Sequence, residues 1–300
     1  MLKAYDGPPR VIVGFDGSDD SLCALAYGAD EAKVRGCELV LLYAVDDTVL
    51  NSAWGVVFDP DEIRAGAQDL LATGIQEAVA LGVPVERVRT HVELGNPAAA
   101  LAHFSEAASL VVLGRRSIAP GERGFVGSTA VGVAGTAHCP VIVVTAGNAA
   151  RPERTGLIGV GVSTAAKGGA NALEWALQEC GRRGGSVVVL SVCRAPVSRF
   201  FHAGGPSQEQ RDSAVAVTTD RVTEMIEPLA AAYPGVPVAI EVSYGNPLDV
   251  LVSRTADLDL LVVEVHANFP TYSVGGVTRG LMTHAQCPVG TIRDRDSHGS

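Results

Sequence analysis

The stretch LVVLGRRSIAPGERGFVGST, Leu110–Thr129, has a worn copy about 150 residues later, LLVVEVHANFPTYSVGGVT, Leu260–Thr278. Each copy opens on a short apolar run, passes through a glycine-bearing loop, and leads into small residues and then Cys-Pro-Val (Cys139-Pro140-Val141 and Cys287-Pro288-Val289). Gly95-Asn96-Pro97 and Gly245-Asn246-Pro247 are a second pair of matching marks. The chain is therefore one unit written twice, and each unit alternates β-branched runs with helical stretches.

In the first unit the pattern predicts strands at 11–15, 39–45, 85–94, 110–113 and 141–144. An amphipathic helix with Leu22, Leu25, Ala26 and Ala29 inward should run to Arg35, where Gly36 stops it. Asp59-Pro60, with Glu62 following, reads as the start of a second helix, and Ser128 begins the last. In the second unit strands are predicted at 157–162, 187–192, 238–244, 258–263 and 289–292, with Ala172–Ala176 on the first helix. A long helix is expected over 208–233, kinked or cut short by Pro228. Alternation of this kind implies two tandem, doubly wound, five-stranded parallel sheets with helices on both faces and right-handed crossovers. The domains are set at 1–146 and 157–293, with a polar linker at 147–156 and a polar tail at 294–300.

Three hundred residues suit two such domains. A formal charge of −10 argues against a general nucleic-acid or anionic-membrane partner, both of which demand clustered cations. No apolar run is long enough to span a bilayer, and MLKAYDGPPRVIV lacks the regions of a signal peptide. A cytoplasmic protein is expected. The six cysteines show neither a CxxC pair nor zinc-ligand spacing, and they read as buried, reduced thiols. His138 beside Cys139 makes a poor metal pair, because adjacent residues entering a strand point apart. No metal site is expected.

Ligands of such sheets sit beyond the carboxyl ends of the strands, where strand order reverses. In the first unit that places Asp16-Gly17-Ser18 beside the loop after the fourth strand. Asp16 can accept a hydrogen bond from a ribose hydroxyl or an adenine amino group, or cap the helix ahead. Gly114 allows close backbone approach. Arg115, Arg116 and Arg123 bring positive charge, and Gly127-Ser128-Thr129 opens a helix whose free N–H groups favour an anion. No GxxxxGK[ST] is present, and no general base or nucleophile is placed, so catalysis beyond weak ATP hydrolysis is not expected.

The Val11–Ser18 opening, the loop Gly114-x2-Ser117-x9-Gly127-Ser128 and the closing Cys-Pro-Val strand resemble the universal stress protein family in its tandem two-domain form. Ser117 stands where the family's pattern G-x2-G-x9-G-[ST] has its second glycine. The resemblance implies ATP (with Mg) or AMP at this cleft. By position, Gly14, Phe15 and Asp16 would flank adenine and ribose, and Ala44 would meet the adenine edge. Leu113, Gly114, Arg116 and Ser117 would line ribose and phosphates, with Gly127, Ser128 and Thr129 on phosphate. It also implies pseudo-twofold pairing of the domains through strands 141–144 and 289–292, with homodimerisation left open. The function implied is stress response or signalling by nucleotide-dependent association. The alternative is a scaffold that binds no nucleotide.

The second copy departs much further. Its first strand ends in Val162-Ser163-Thr164, without an aspartate, and its loop is shorter, carrying Phe269 and Tyr272 and no Lys or Arg between Glu264 and Thr278. Glu264 replaces Gly114, and a carboxylate a few ångströms from phosphate opposes binding by about 1 kcal/mol even in a water-like dielectric. Only Gly275-Gly276 survives, with Arg279 a turn into the helix. One nucleotide site per chain is the expectation. The apolar segment 46–58, with Trp54, Val56, Val57 and Phe58, is expected to pack on its own domain, with cleft cover or partner contact as alternatives.

Overall fold

A computed structural model of the chain describes residues 9–45, 60–116, 126–145, 147, 155–164, 168–194, 206–266 and 274–294. The apolar segment at 46–58 and the residues Asp59, Ser117, Arg123, Phe269 and Tyr272 lie outside that set. The chain divides into two compact units, with the main boundary between residues 150 and 151.

Unit one runs β1 (Arg10–Gly14), α1 (Asp19–Arg35), β2 (Glu38–Val45), α2 (Pro60–Ala80), β3 (Val88–Leu94), α3 (Pro97–Ser105), β4 (Leu110–Gly114), α4 (Ser128–Thr136) and β5 (Val141–Val144). Its five strands lie in the order β3-β2-β1-β4-β5, and every neighbouring pair is parallel. The strands β1 and β4 are almost wholly buried, as a sheet covered on both faces requires. Alternation along β1 shows the two covers. A side chain added at Gly28 of α1 would strike Val13, whereas one added at Gly14 would meet Leu101 of α3. Val13 and Gly14 are consecutive, so α1 and α3 lie on opposite faces.

Unit two repeats the order with β6 (Leu157–Val162), α5 (Ala170–Arg183), β7 (Ser186–Cys193), α6 (Gln208–Ala232), β8 (Val238–Tyr244), α7 (Pro247–Arg254), β9 (Leu260–Val265), α8 (Gly276–His284) and β10 (Val289–Arg293). Its strand order, β8-β7-β6-β9-β10, is again parallel throughout. Both units are doubly wound, with the reversal of strand order between β1 and β4 and between β6 and β9. Asn96 and Asn246 cap α3 and α7, accepting from Ala99 and Leu248 N–H groups, with the prolines at the first helical position.

Three local expectations change. Residues 85–87 form a single 3-10 turn and the strand begins at Val88, so Val85, at 60% exposure, is no inward strand residue. Helix α6 continues through Pro228 to Ala232, with the proline standing one turn before its end and donating no bond to the preceding turn. In α1 the inward stripe is Ala24, Leu25, Gly28, Ala29 and Ala32, while Leu22 is 38% exposed and Ala26 half-buried. The first turn of that helix is instead turned inward by polar residues, Asp20 and Ser21.

All six cysteines are free thiols; Cys37, Cys139, Cys180 and Cys287 are buried, and Cys23 and Cys193 half-buried. Burial pushes the Cys139 thiol up from 9.0 to about 12. An unfolded chain ionises this thiol at the lower value, so the folded state holds the extra proton between the two. The stability that Cys139 contributes is complete below pH 9.0 and lost as pH rises towards about 12. In urea titrations across that window, Cys139→Ala should lose stability less steeply with pH than the parent chain; parallel slopes would refute the buried, protonated thiol.

Candidate functional site

The strand reversal in unit one puts the ends of β1 and β4 side by side, and what happens there is decided by α1. The turn after β1 folds on itself: Ser18 donates from its N–H and its hydroxyl to Asp16 Oδ1, at 3.0 and 2.6 Å. Ser18 then accepts from Ser21 N–H at 3.2 Å and is the N-cap of α1. Asp16 therefore does not cap the helix. It orients the residue that does, and its carboxylate stays half-buried at the strand end.

The first turn of α1 lies directly against the end of β4. A β-carbon added at Gly114 would come within 2.8 Å of the Asp20 carbonyl carbon and 2.9 Å of Ser21 N. The glycine is thus required by a helix of the protein itself, which takes the close approach expected for a ligand. Asp20, only 2% exposed, reaches over the strand end. Its Oδ2 accepts from Arg116 N–H at 3.1 Å and from Arg116 Nε at 3.2 Å. The Arg116 side chain is 42% exposed, so this pair tethers a cation at the mouth of the cleft. Burial lowers the pKa of Arg115 next to it, with the Arg116 charge adding to that and Asp20 opposing it. Two crowded guanidinium groups of this kind favour an arriving anion.

Across the cleft, Gly127 N–H donates to Arg115 carbonyl oxygen at 2.8 Å, tying the two ends of the glycine loop together. Gly127 is the N-cap of α4 and supplies no side-chain bond to the helix start at Ser128 and Thr129. The loop ends, the cation and the uncapped helix start thus converge. Two of the expected residues bring only backbone. The Phe15 ring is buried beneath Gly74 of α2, and the Leu113 side chain is buried beneath Gly14, so only their backbones face the strand ends. Gly14 and Ala44 are half-buried at the ends of β1 and β2. Tyr43 is a neighbour that sequence reasoning missed. Burial pushes its phenol up, and the Asp16 carboxylate adds to that. Asp20 was also missed, although its place in the run Asp16-Gly17-Ser18-Asp19-Asp20 is the signal for a side chain one helical turn beyond Asp16.

In unit two the same junction is solved differently. The N-cap of helix α5 is Gly169, whose φ of 120° suits glycine alone and which offers no side-chain cap. Glu264, standing at the Gly114 position, supplies it from the neighbouring strand. Its Oε2 accepts from the N–H groups of Gly169 at 2.9 Å and Asn171 at 3.2 Å. The carboxylate expected to oppose phosphate is therefore a helix cap supplied by the neighbouring strand. It lines a cavity of about 220 Å³ with Gly161, Val162, Leu190, Val192 and Thr278.

Gly114→Ala should destabilise the chain by about 1–3 kcal/mol, because the Asp20–Ser21 backbone has nowhere to retreat. Glu264→Ala should cost about 0.5–2 kcal/mol through the lost cap. Urea denaturation reads both, and a neutral Gly114→Ala would mean that α1 does not press on β4.

The universal stress protein family model matches the chain twice, over residues 8–145 and 157–293. A universal stress protein of Mycobacterium tuberculosis is 26% identical over 300 residues, covering 93% of this chain and 95% of its own. The crystal structure of a universal stress protein from Archaeoglobus fulgidus superposes with a TM-score of 0.70 at 17% identity, covering 95% of this chain and 98% of its own. A shorter protein of that family and organism, solved in complex with dAMP, is 23% identical over 47% of this chain and 99% of its own, with a TM-score of 0.35. With its model matched in both halves, this chain belongs to the universal stress protein family.

Proposed function

We propose that unit one binds ATP (with Mg) or AMP, one nucleotide per chain, and that occupancy governs association with partners in stress response or signalling. The observation that carries this reading is the helix start at Ser128, left without a side-chain cap beside the tethered Arg116. Helix N–H groups and a guanidinium converging at a strand reversal suit a phosphate. The Asp16 carboxylate, which takes two bonds from Ser18 at the end of β1, is an acceptor suited to a ribose or adenine donor. Ligand binding to the folded state alone stabilises it, which is how a nucleotide would bias assembly without chemistry. Among the described residues the site offers no placed nucleophile, and slow hydrolysis is the most this reading gives it.

Unit two is proposed not to take nucleotide, since Glu264 puts a carboxylate at the position of Gly114, held there by the first N–H groups of α5. The competing reading is a scaffold in which neither cleft binds nucleotide. Native mass spectrometry of freshly purified protein in ATP separates the two. One nucleotide per chain is expected; none supports the scaffold, and two would overturn the role given to Glu264. Gly127→Glu should abolish binding, because its β-carbon would sit 3.2 Å from the Arg115 carbonyl with a carboxylate at the phosphate position. Gly276→Glu, with nothing near its added β-carbon, should leave binding unchanged.

A further inference from the structure

We infer that unit two carries a divalent-cation site made by Glu264, His266 and Asp294, for an ion that accepts mixed nitrogen and oxygen donors. One donor atom from each lies within 4.8 Å of those of the other two, and His266 Nδ1 stands 3.6 Å from Asp294 Oδ2. Donors bound about 2.0–2.2 Å from one zinc-like ion sit roughly 3–4 Å apart, so small side-chain rotations close the set.

The strand register brings the three residues together. Glu264 and His266 are two apart where β9 ends, so they share a face. β10 pairs with β9 in parallel, with Ile292 opposite Glu264 and Arg293 opposite Val265. The next step puts Asp294 level with His266, and Asp294 N–H donates to the Val265 carbonyl at 3.0 Å. Unit one is an internal control. The positions equivalent by sequence repeat are Gly114, Arg116 and Ala146, and none of their side chains can ligate a cation.

Two of the three ligands are held by partners that do not need to move. Glu264 is fixed through Oε2 by the Gly169 and Asn171 N–H groups, which leaves acceptor capacity on the carboxylate. The His266 ring lies over Gly168, where an added β-carbon would be 2.5 Å from its Cε1. Gly168 is itself pinned to Ser163 by two reciprocal backbone bonds of 3.1 and 3.3 Å. Such outer contacts orient metal ligands and tune their affinity. All three ligands are half-buried, and the cavity lined by Glu264 and His266 gives an ion access and room for water to complete its shell. One imidazole and two carboxylates suit Mn2+, Co2+ or Zn2+ better than Mg2+ or Ca2+, which prefer oxygen alone.

Co2+ titration of the reduced, chelator-treated full chain, read by visible absorption, tests this. One equivalent should bind with the weak d–d bands of nitrogen and oxygen ligation and without a thiolate charge-transfer band. His266→Ala and the nearly isosteric Asp294→Asn should each weaken binding by at least about tenfold while the thermal transition shows a folded chain. Asp294→Asn keeps the Val265 backbone bond, so it carries the test if His266→Ala fails to fold. No uptake at millimolar Co2+, a thiolate band, or affinity unchanged by Asp294→Asn would overturn the site.

Discussion

The structure turns on one crowded junction: the first turn of the leading helix in each unit pressed against the end of the strand across the reversal. A helix start carries N–H groups with no partner of their own, and burying it obliges the chain to satisfy them. Unit one does so within the helix, through Ser18, and keeps a glycine at position 114 so that the backbone of Asp20 and Ser21 can fit. Unit two puts glycine in the helix start and a glutamate on the strand. The two residue types have exchanged places across the same gap.

That exchange sets the electrostatics of each cleft. In unit one the buried carboxylate of Asp20 is spent on Arg116, so what the cleft presents is a tethered cation with a helix start opposite it. In unit two the carboxylate itself is presented, with His266 and Asp294 next to it. One fold therefore offers a positive mouth in one repeat and a cluster of cation ligands in the other. The change needs only a few residues because the backbone scaffold around them is the same.

Most of the fold was legible in the sequence because it is written in local signals. The strands at 141–144, 157–162 and 238–244 begin and end where their β-branched runs do. The Asn-Pro pairs start helices by chemistry confined to four residues. What stayed hidden depends on residues far apart in the chain. The Gly114 spacing suggested a ligand, but contact with Asp20, 94 positions earlier, is what demands it. Phe15 and Leu113 stand where the family pattern puts binding residues, yet strand alternation and packing turn their side chains into the core. The cap made by Glu264 was not legible, since Gly169 and Asn171 lie some 95 residues away. The Glu264, His266 and Asp294 cluster escaped a search for ligand spacing because its third member arrives through sheet register.

The cap supplied by Glu264 also bears on how freely the two clefts can interconvert. A glycine at 264 would strip α5 of the partner that accepts from its Gly169 and Asn171 N–H groups before any phosphate cradle could form. In the other direction, a carboxylate at 114 would meet the backbone of α1 before it could cap anything. Each cleft is therefore separated from its counterpart by a less stable single mutant, so converting one into the other takes coordinated changes at the helix start and at the strand end.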